Sequence, residues 1–342
     1  MLRFLAVALV WLELAAVSLA APPELISLRG ATMGSTWAVT YRPGAGTPTR
    51  SAVERAMQER LDELERQMST WRADSDLSHF NAARDTNWFP VPRDTAVVVR
   101  EALAVSALTD GAFDPTVFPL VQLWGFGPAG RRVGLPTTNE IASALAKVGW
   151  RKLDARLTPP ALRKSQPDVA VDLSALCPGY ASDCLGELLV TLGVRDFLVD
   201  VGGELKAAGN GASGPGWRVG VEQPPSRAPG ERSLAATLPL VNQSLATSGD
   251  YRNAFSLAGR RFSHHLDPRT GWPVESLVVS VSVVHSSTMR ADAMGTALTV
   301  LGFERAWALA EREKVGVLFI LRHGERFTLC ATDGWPREGK KD

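Results

Sequence analysis

Cysteine is scarce in these 342 residues: Cys177, Cys184 and Cys330 are the only three. An odd number leaves at least one thiol without a partner in the same chain. Cys177 and Cys184 are seven apart, so on one helix about 10 Å of rise would separate them, beyond the roughly 7 Å Cα limit for a disulfide. A disulfide scaffold is therefore excluded as the source of the fold. An excess of one charge is also missing, with 37 Lys and Arg against 36 Asp and Glu. That balance excludes a generic nucleic-acid binder, which needs surplus cations for many phosphates. After the first 20 residues no run is long and apolar enough to span a bilayer. No G-x-G-x-x-G follows a strand, and Walker A, H-E-x-x-H and C-x-x-C patterns are absent. A conventional Rossmann flavoprotein or P-loop ATPase is excluded on that ground.

What is present begins with 45% hydrophobic residues, enough for a core. The 30 Gly and 22 Pro are dispersed, which is neither collagen nor a low-complexity linker. Met1-Leu2-Arg3 is a short positive start, and Phe4 to Ala20 is apolar except for Glu13. Ser18-Leu19-Ala20 places small residues where a signal peptidase checks them, so residues 1–20 read as a cleaved secretory signal. An uncleaved anchor is the competing reading. The expectation is an exported, periplasmic chain whose residues 21–342 form one domain.

Val53, Met57, Leu61, Leu64 and Met68 recur at helical spacing. A second helix is expected from a cap at Asp94 to about Leu108, and further helices over Glu140–Val148, Tyr180–Leu192, Met289–Leu301 and Glu304–Lys314. Strands are expected at Ser35–Tyr41 (after a turn region at Gly30 and Gly34), Val169–Leu173, Phe197–Val201, Trp217–Glu222, Leu245–Ser248, Leu277–Val284, Val315–Leu321 and Phe327–Ala331. Gly125 to Pro136 reads as a long loop. Helices and strands alternate without a βαβ repeat, which favours an α+β fold.

Four constellations carry possible chemistry. Asp292 and Thr296 stand at i and i+4 on one helix face, an oxygen pair that suits a hard cation such as Mg²⁺. A surface Asp beside a Thr bonded to its own helix is the simpler reading of the pair taken alone. Asp172 precedes a helix N-terminus, where it is either an anion-site neighbour or a cap. Ser263-His264-His265-Leu266-Asp267 holds two histidines that could supply a general base, or an exposed turn. Thr247-Ser248-Gly249-Asp250 is a polar turn that could hold phosphate or only reverse the chain.

Read in order, the motifs resemble the ApbE family of FAD:protein FMN transferases. They are T-M-G-S-T-W at 32–37, M-S-T-W-R-A-D-S-D-L-S-H-F-N at 68–81, G-A-F-D-P-T at 111–116 and P-L-V-Q-L-W-G-F-G-P at 119–128. V-D-L-S-A at 171–175, V-G-G-E at 201–204, A-T-S-G-D-Y-R-N at 246–253, S-H-H-L-D-P-R-T-G at 263–271 and A-D-A-M-G-T-A-L at 291–298 complete the series. The resemblance implies a T-fold-type flavin transferase architecture of mixed or antiparallel sheets with packed helices. It implies that FAD contacts Met33, Trp71, Ala112, Phe113, Asp114, Asp172 and Leu266. Pro178 stands at a further FAD position, where the family usually carries Lys or Glu. It implies a Mg²⁺ site from the Ala175 carbonyl, Asp292 and Thr296, with His264 as base or phosphate-orienting group and no role for His265. Gly295 stands where some members place another acidic residue.

The activity so implied is Mg²⁺-dependent transfer of FMN from FAD to a Thr or Ser hydroxyl of an acceptor flavoprotein, releasing AMP. The expected partner is a subunit of an exported or membrane-bound electron-transfer complex, and no nucleic acid. Hydrolysis of FAD to FMN and AMP, or FAD binding without turnover, remain as alternatives, the second because Pro178 brings neither charge nor hydrogen bond.

Overall fold

The structure, a computed structural model, describes residues 24–212, 214–224, 233–249, 254–257 and 260–336. The expected signal at 1–20 and residues 250–253 of the A-T-S-G-D-Y-R-N motif lie outside them.

Alternation builds the frame. Trp37, Val39 and Tyr41 are buried along Ser35–Arg42 while their neighbours are not, the period of a strand with one face in the core. Eight strands lie side by side in chain order, each antiparallel to the next: β1 (Ile26–Thr32), β2 (Ser35–Arg42), β3 (Asp196–Val201), β4 (Glu204–Ala208), β5 (Ser244–Gly249), β6 (Val278–His285), β7 (Gly316–His323) and β8 (Arg326–Ala331). On β7, Val317 and Phe319 enter the main core whereas Leu318 and Ile320 enter a second core on the opposite face. A strand covered on both faces is buried at every position, as Val278–Val284 is, with Ser280 and Ser282 among its valines.

The connections supply the layers. Between β2 and β3 the chain forms α1 (Arg50–Met68), α2 (Asp76–Ala82), α3 (Arg93–Leu108), α4 (Phe118–Leu123), α5 (Thr138–Leu145) and α6 (Cys177–Thr191). Between β6 and β7 it forms α7 (Thr288–Leu301) and α8 (Phe303–Arg312). α6 and α7 pack on one face of the sheet. The hairpin Trp217–Glu222/Leu234–Leu240 covers the other, with Trp217, Leu238 and Leu240 against Leu245, Val279 and Ile320. The fold is α+β, as expected. Cys177 and Cys184 share α6, and all three cysteines are free.

Three local expectations are corrected. Gly30 is not in a turn but inside β1, opposite Trp37, whose indole leaves no room for a side chain there: a Cβ would lie 2.5 Å from Nε1. Asp94 does not cap α3, whose N-cap is Pro92; its carboxylate instead accepts from Tyr180 Oη at 2.7 Å and pairs with Arg60 at 2.8 Å. Residues 169–173 form no strand.

Candidate functional site

The antiparallel crossing of α6 and α7 is the frame of the site. Pro178 and Gly179 open α6, and Gly179 is there because α7 passes too close for a side chain. A Cβ on it would lie 2.6 Å from the Thr288 carbonyl oxygen and 2.9 Å from Asp292 Cβ. At this approach Gly179 N–H donates to Asp292 Oδ2 at 3.1 Å, the carboxylate's sole hydrogen-bond partner among the described residues. Asp292 is buried, and burial raises its carboxyl to about 7. One turn on, Thr296 is half-buried with Oγ1 3.4 Å from Ser248 Oγ on β5. Thr299, not Thr296, spends its hydroxyl on the helix, donating to the Gly295 carbonyl at 2.9 Å. Gly295 itself is packed against β5, where a Cβ would lie 2.8 Å from Ser248 Oγ. No group of three or more His, Cys, Asp or Glu able to hold a metal exists among the described residues. A cation here would take one carboxylate, a hydroxyl and backbone oxygen, a set that fits a hard ion keeping several waters.

The segment leading into α6 is held by side chains rather than by a ladder. Asn81, at the end of α2, donates Nδ2 to the Val171 carbonyl at 2.8 Å and accepts Val171 N–H on Oδ1 at 2.7 Å. One amide does what a neighbouring strand would do, which is why 169–173 stays extended without being a strand. Lys164, buried, donates to the carbonyls of Phe80, Asn81 and Val169 at 3.1, 3.3 and 3.2 Å, and burial lowers its pKa. Asp172 N–H donates to the Pro115 carbonyl at 2.8 Å, joining the 112–116 turn to the 171–175 segment. Its Oδ1 accepts from Ser174 N–H at 2.8 Å and Ser174 Oγ at 2.5 Å, so it caps the turn carrying Ala175 rather than α6. Burial raises its carboxyl as well. Asn81→Ala would strip two buried backbone groups of their partners, and should cost about 2–4 kcal/mol in a urea melt. The same variant should loosen exchange-protected amides at 171–175.

Asp172 and Asp292 converge on one side chain: burial first, then these two carboxylates, push the Cys177 thiol far up. Cys177 is thus an inert core thiol, with Sγ 3.9 Å from Met68 Sδ at the end of α1. α1 also positions Met33. Glu65 accepts from Thr32 Oγ1 at 2.9 Å and from Met33 N–H, holding Met33 at φ 51° in the β1–β2 turn. Trp71 follows α1 and is 66% exposed, which excludes a core role. Ala112 and Phe113 are buried. Asp114 is a hub: Oδ1 accepts from Thr116 N–H at 2.8 Å and Thr116 Oγ1 at 2.6 Å, and Oδ2 from Trp150 N–H at 2.8 Å. Burial raises its carboxyl against those bonds.

The histidine loop is anchored elsewhere. Leu266 packs with Leu120, Trp124 and Ile141, and Trp124 Nε1 donates to the Gly271 carbonyl at 2.8 Å. Arg269 closes the loop on Asp267 at 2.8 Å. His265 is buried with Nδ1 3.2 Å from Ser263 Oγ, and burial together with His264 holds it well below the usual histidine range. His264 is half-buried, its ring 4.0 Å from that of His265 and edge-on to Phe126 at 6.4 Å. Two cavities of about 410 and 320 Å³ flank the Val274–Leu277 segment beyond this loop, and neither is lined by Asp172, Asp292 or Thr296.

Sequence reading thus named Asp172, Ala175 and Pro178, which lie in the segment that opens α6, and Asp292, which Gly179 N–H ties to that segment, with Thr296 one turn further along α7. It missed Glu65, Asn81 and Lys164, whose signal lies only in long-range contacts.

Comparison with known proteins places this fold in a family. A profile of the ApbE family matches residues 33–319. A Vibrio cholerae protein named FAD:protein FMN transferase is 38% identical over 314 residues, covering 92% of each chain. One of the same name from Escherichia coli K12 is 37% identical over 306 residues, 89% of this chain and 86% of its own. The solved flavin transferase ApbE from Vibrio cholerae superposes with a TM-score of 0.84 at 36% identity, covering 92% of this chain and 99% of that one. The ApbE protein of Thermotoga maritima does so at 0.81 with 26% identity, covering 92% and 100%. A match over most of the sequence, carried by the same fold throughout, leaves one conclusion: this chain belongs to the ApbE family.

Proposed function

We propose that the chain transfers FMN from FAD to a Thr or Ser hydroxyl of an acceptor flavoprotein, releases AMP, and needs Mg²⁺ to do so. Two relatives carry the name FAD:protein FMN transferase over most of their length. The observation that carries the metal part is Asp292: a buried carboxylate with one neutral partner, one helical turn from a hydroxyl not spent on its own helix. Asp292, Thr296 and the Ala175 carbonyl would hold the cation. Mg²⁺ held by them would supply positive charge against the pyrophosphate and the departing AMP.

The chain's own residues do the rest. Met33, Trp71, Ala112, Phe113, Asp114, Asp172 and Leu266 would contact the FAD, with Trp71 offering an exposed indole face for stacking. Pro178 contributes shape only, since it has neither charge nor donor. Asp114 acts through the turn it holds, because Thr116 and Trp150 already occupy its carboxylate. His264 takes the proton of the acceptor hydroxyl as its oxygen bonds to the FMN phosphorus and the bond to the AMP oxygen breaks. His265 stays neutral beside it. Trp71→Ala should weaken FAD binding about tenfold, by equilibrium dialysis in EDTA, through lost stacking worth about 1–1.5 kcal/mol. Its melting temperature should not change, because the side chain is two-thirds exposed.

The N-terminal signal expected at 1–20 places the reaction outside the cytoplasm, in the periplasm, with acceptors among exported or membrane-bound electron-transfer subunits. Among the described residues no helix is long and apolar enough to cross a membrane. Chromatography of the flavin and adenine products tests the reading. AMP without free FMN, and only when acceptor is present, is the expected result. Equal AMP and free FMN would make the chain a hydrolase, and retained FAD with no AMP a binding protein.

A further inference from the structure

Asp183 lies outside every motif with an implied role, yet its carboxylate is saturated by another helix. On α6, Gly179 and Asp183 are four residues apart and face the same way. Gly179 grips Asp292, and Asp183 grips the start of α7. Its Oδ2 accepts from Ser287 Oγ at 2.9 Å and Met289 N–H at 3.1 Å, and its Oδ1 from Thr288 N–H at 3.0 Å and Thr288 Oγ1 at 2.9 Å. Lys206 on β4 pairs with Oδ1 at 3.0 Å and also donates to the Ser286 carbonyl at 2.6 Å. Thr288 Oγ1 lies 2.8 Å from Ser244 Oγ on β5.

Water could have satisfied the first N–H groups of α7, and α7 already has its own cap in Ser287, which accepts from Arg290 N–H. A carboxylate from the neighbouring helix does something a local cap cannot: it fixes where α7 starts relative to α6, β4 and β5. With the helices antiparallel, 183 meets 288 as 179 meets 292, so two rungs set one register. Sliding α7 by one residue would turn Asp292, and Thr296 on the same helix face, about 100° away from the start of α6 that Asp292 now meets at Gly179 N–H.

We propose that Asp183 is a positioning residue for the cation site, holding α7 in the register that presents Asp292 and Thr296 to the Ala175 carbonyl. This rests on the cation reading above. The contacts mean that Asp183 touches neither FAD nor metal; it acts on α7, and its loss should appear in metal affinity rather than in flavin affinity.

The test is a Mn²⁺ titration of the full chain without flavin, read by electron paramagnetic resonance of free Mn²⁺. Asp183→Ala should weaken Mn²⁺ binding at least about tenfold, as loss of a group that orients a ligand does. FAD binding in EDTA should stay within about twofold. Thr49→Ala, which removes the side-chain cap of α1, serves as a matched cap loss and should leave Mn²⁺ affinity unchanged. If Asp183→Ala does not fold, Thr288→Val, which keeps the backbone donors, should still weaken Mn²⁺ by a few-fold. Wild-type affinity in a folded Asp183→Ala or in Thr288→Val would overturn the proposal, reducing Asp183 to a helix cap. Failure of the wild-type chain to bind Mn²⁺ would overturn the cation reading first, and the positioning role with it.

Discussion

Asp292→Asn is expected to abolish Mg²⁺-dependent AMP release, by about a thousandfold or more, while making the metal-free protein more stable. Both effects come from the same burial. A carboxyl raised from 3.8 to about 7 is protonated more readily in the folded than in the unfolded chain. The folded state therefore carries no penalty from this group near pH 4, and loses stability as pH rises from there through about 7, because only the unfolded chain ionises freely. The full difference corresponds to about 4 kcal/mol, an upper figure because relaxation and water entry reduce it. Asn keeps an acceptor for Gly179 N–H without the charge. In EDTA at pH 8 the variant should melt several degrees above wild type, and the gap should close as pH is lowered toward about 4. Saturating Mg²⁺ should raise the wild type and leave Asp292→Asn unmoved. A variant that is less stable than wild type at pH 8 in EDTA would show that Asp292 has a cationic partner.

Gly179→Ala should be the most damaging single methyl group in the site. The added Cβ meets a main-chain oxygen at 2.6 Å, Asp292 Cβ at 2.9 Å and Met289 Cα at 2.9 Å. Two of the three are backbone atoms, so no flexible side chain can swing aside. α6 and α7 must separate, which overpacking data place at about 1–3 kcal/mol. The same movement withdraws Gly179 N–H from Asp292, leaving that carboxylate buried with no partner among the described residues. The expected outcome is a urea midpoint shifted down with an unchanged slope, together with loss of metal-dependent turnover greater than the fraction unfolded explains. By contrast Gly193, with nothing within 4 Å of a Cβ but φ +80°, would be strained by backbone conformation alone. Its Ala variant should cost stability without touching metal dependence.

The contrast between these glycines marks how much was legible in the sequence. Periodicity located α1, α6, α7 and the central strands to within a few residues, because buried positions at spacings of two or three to four leave a direct trace in the chain. The i, i+4 pairing of Asp292 and Thr296 was legible for the same reason. The family resemblance supplied what periodicity could not, namely the expectation that the 33, 71, 112–114 and 172–178 segments serve one site. What stayed hidden were contacts between distant segments. Nothing near Asn81 says that its amide replaces a strand beside Val171, and nothing near Asp94 says that Tyr180 and Arg60 claim it before α3 does. Gly30 looked like a turn residue because its reason, the Trp37 indole across the ladder, sits on the neighbouring strand. Asp183 carried no local signal at all.

In the proposed reaction a cation held by Asp292 and Thr296 drives flavin transfer to a protein. This is tested most directly by the intact mass of an acceptor flavoprotein domain after incubation with this chain and FAD, in Mg²⁺ and in EDTA. A gain of one FMN on the acceptor in Mg²⁺, none in EDTA, and none with Asp292→Asn in either condition is the predicted result. Equal labelling with and without the metal would contradict it.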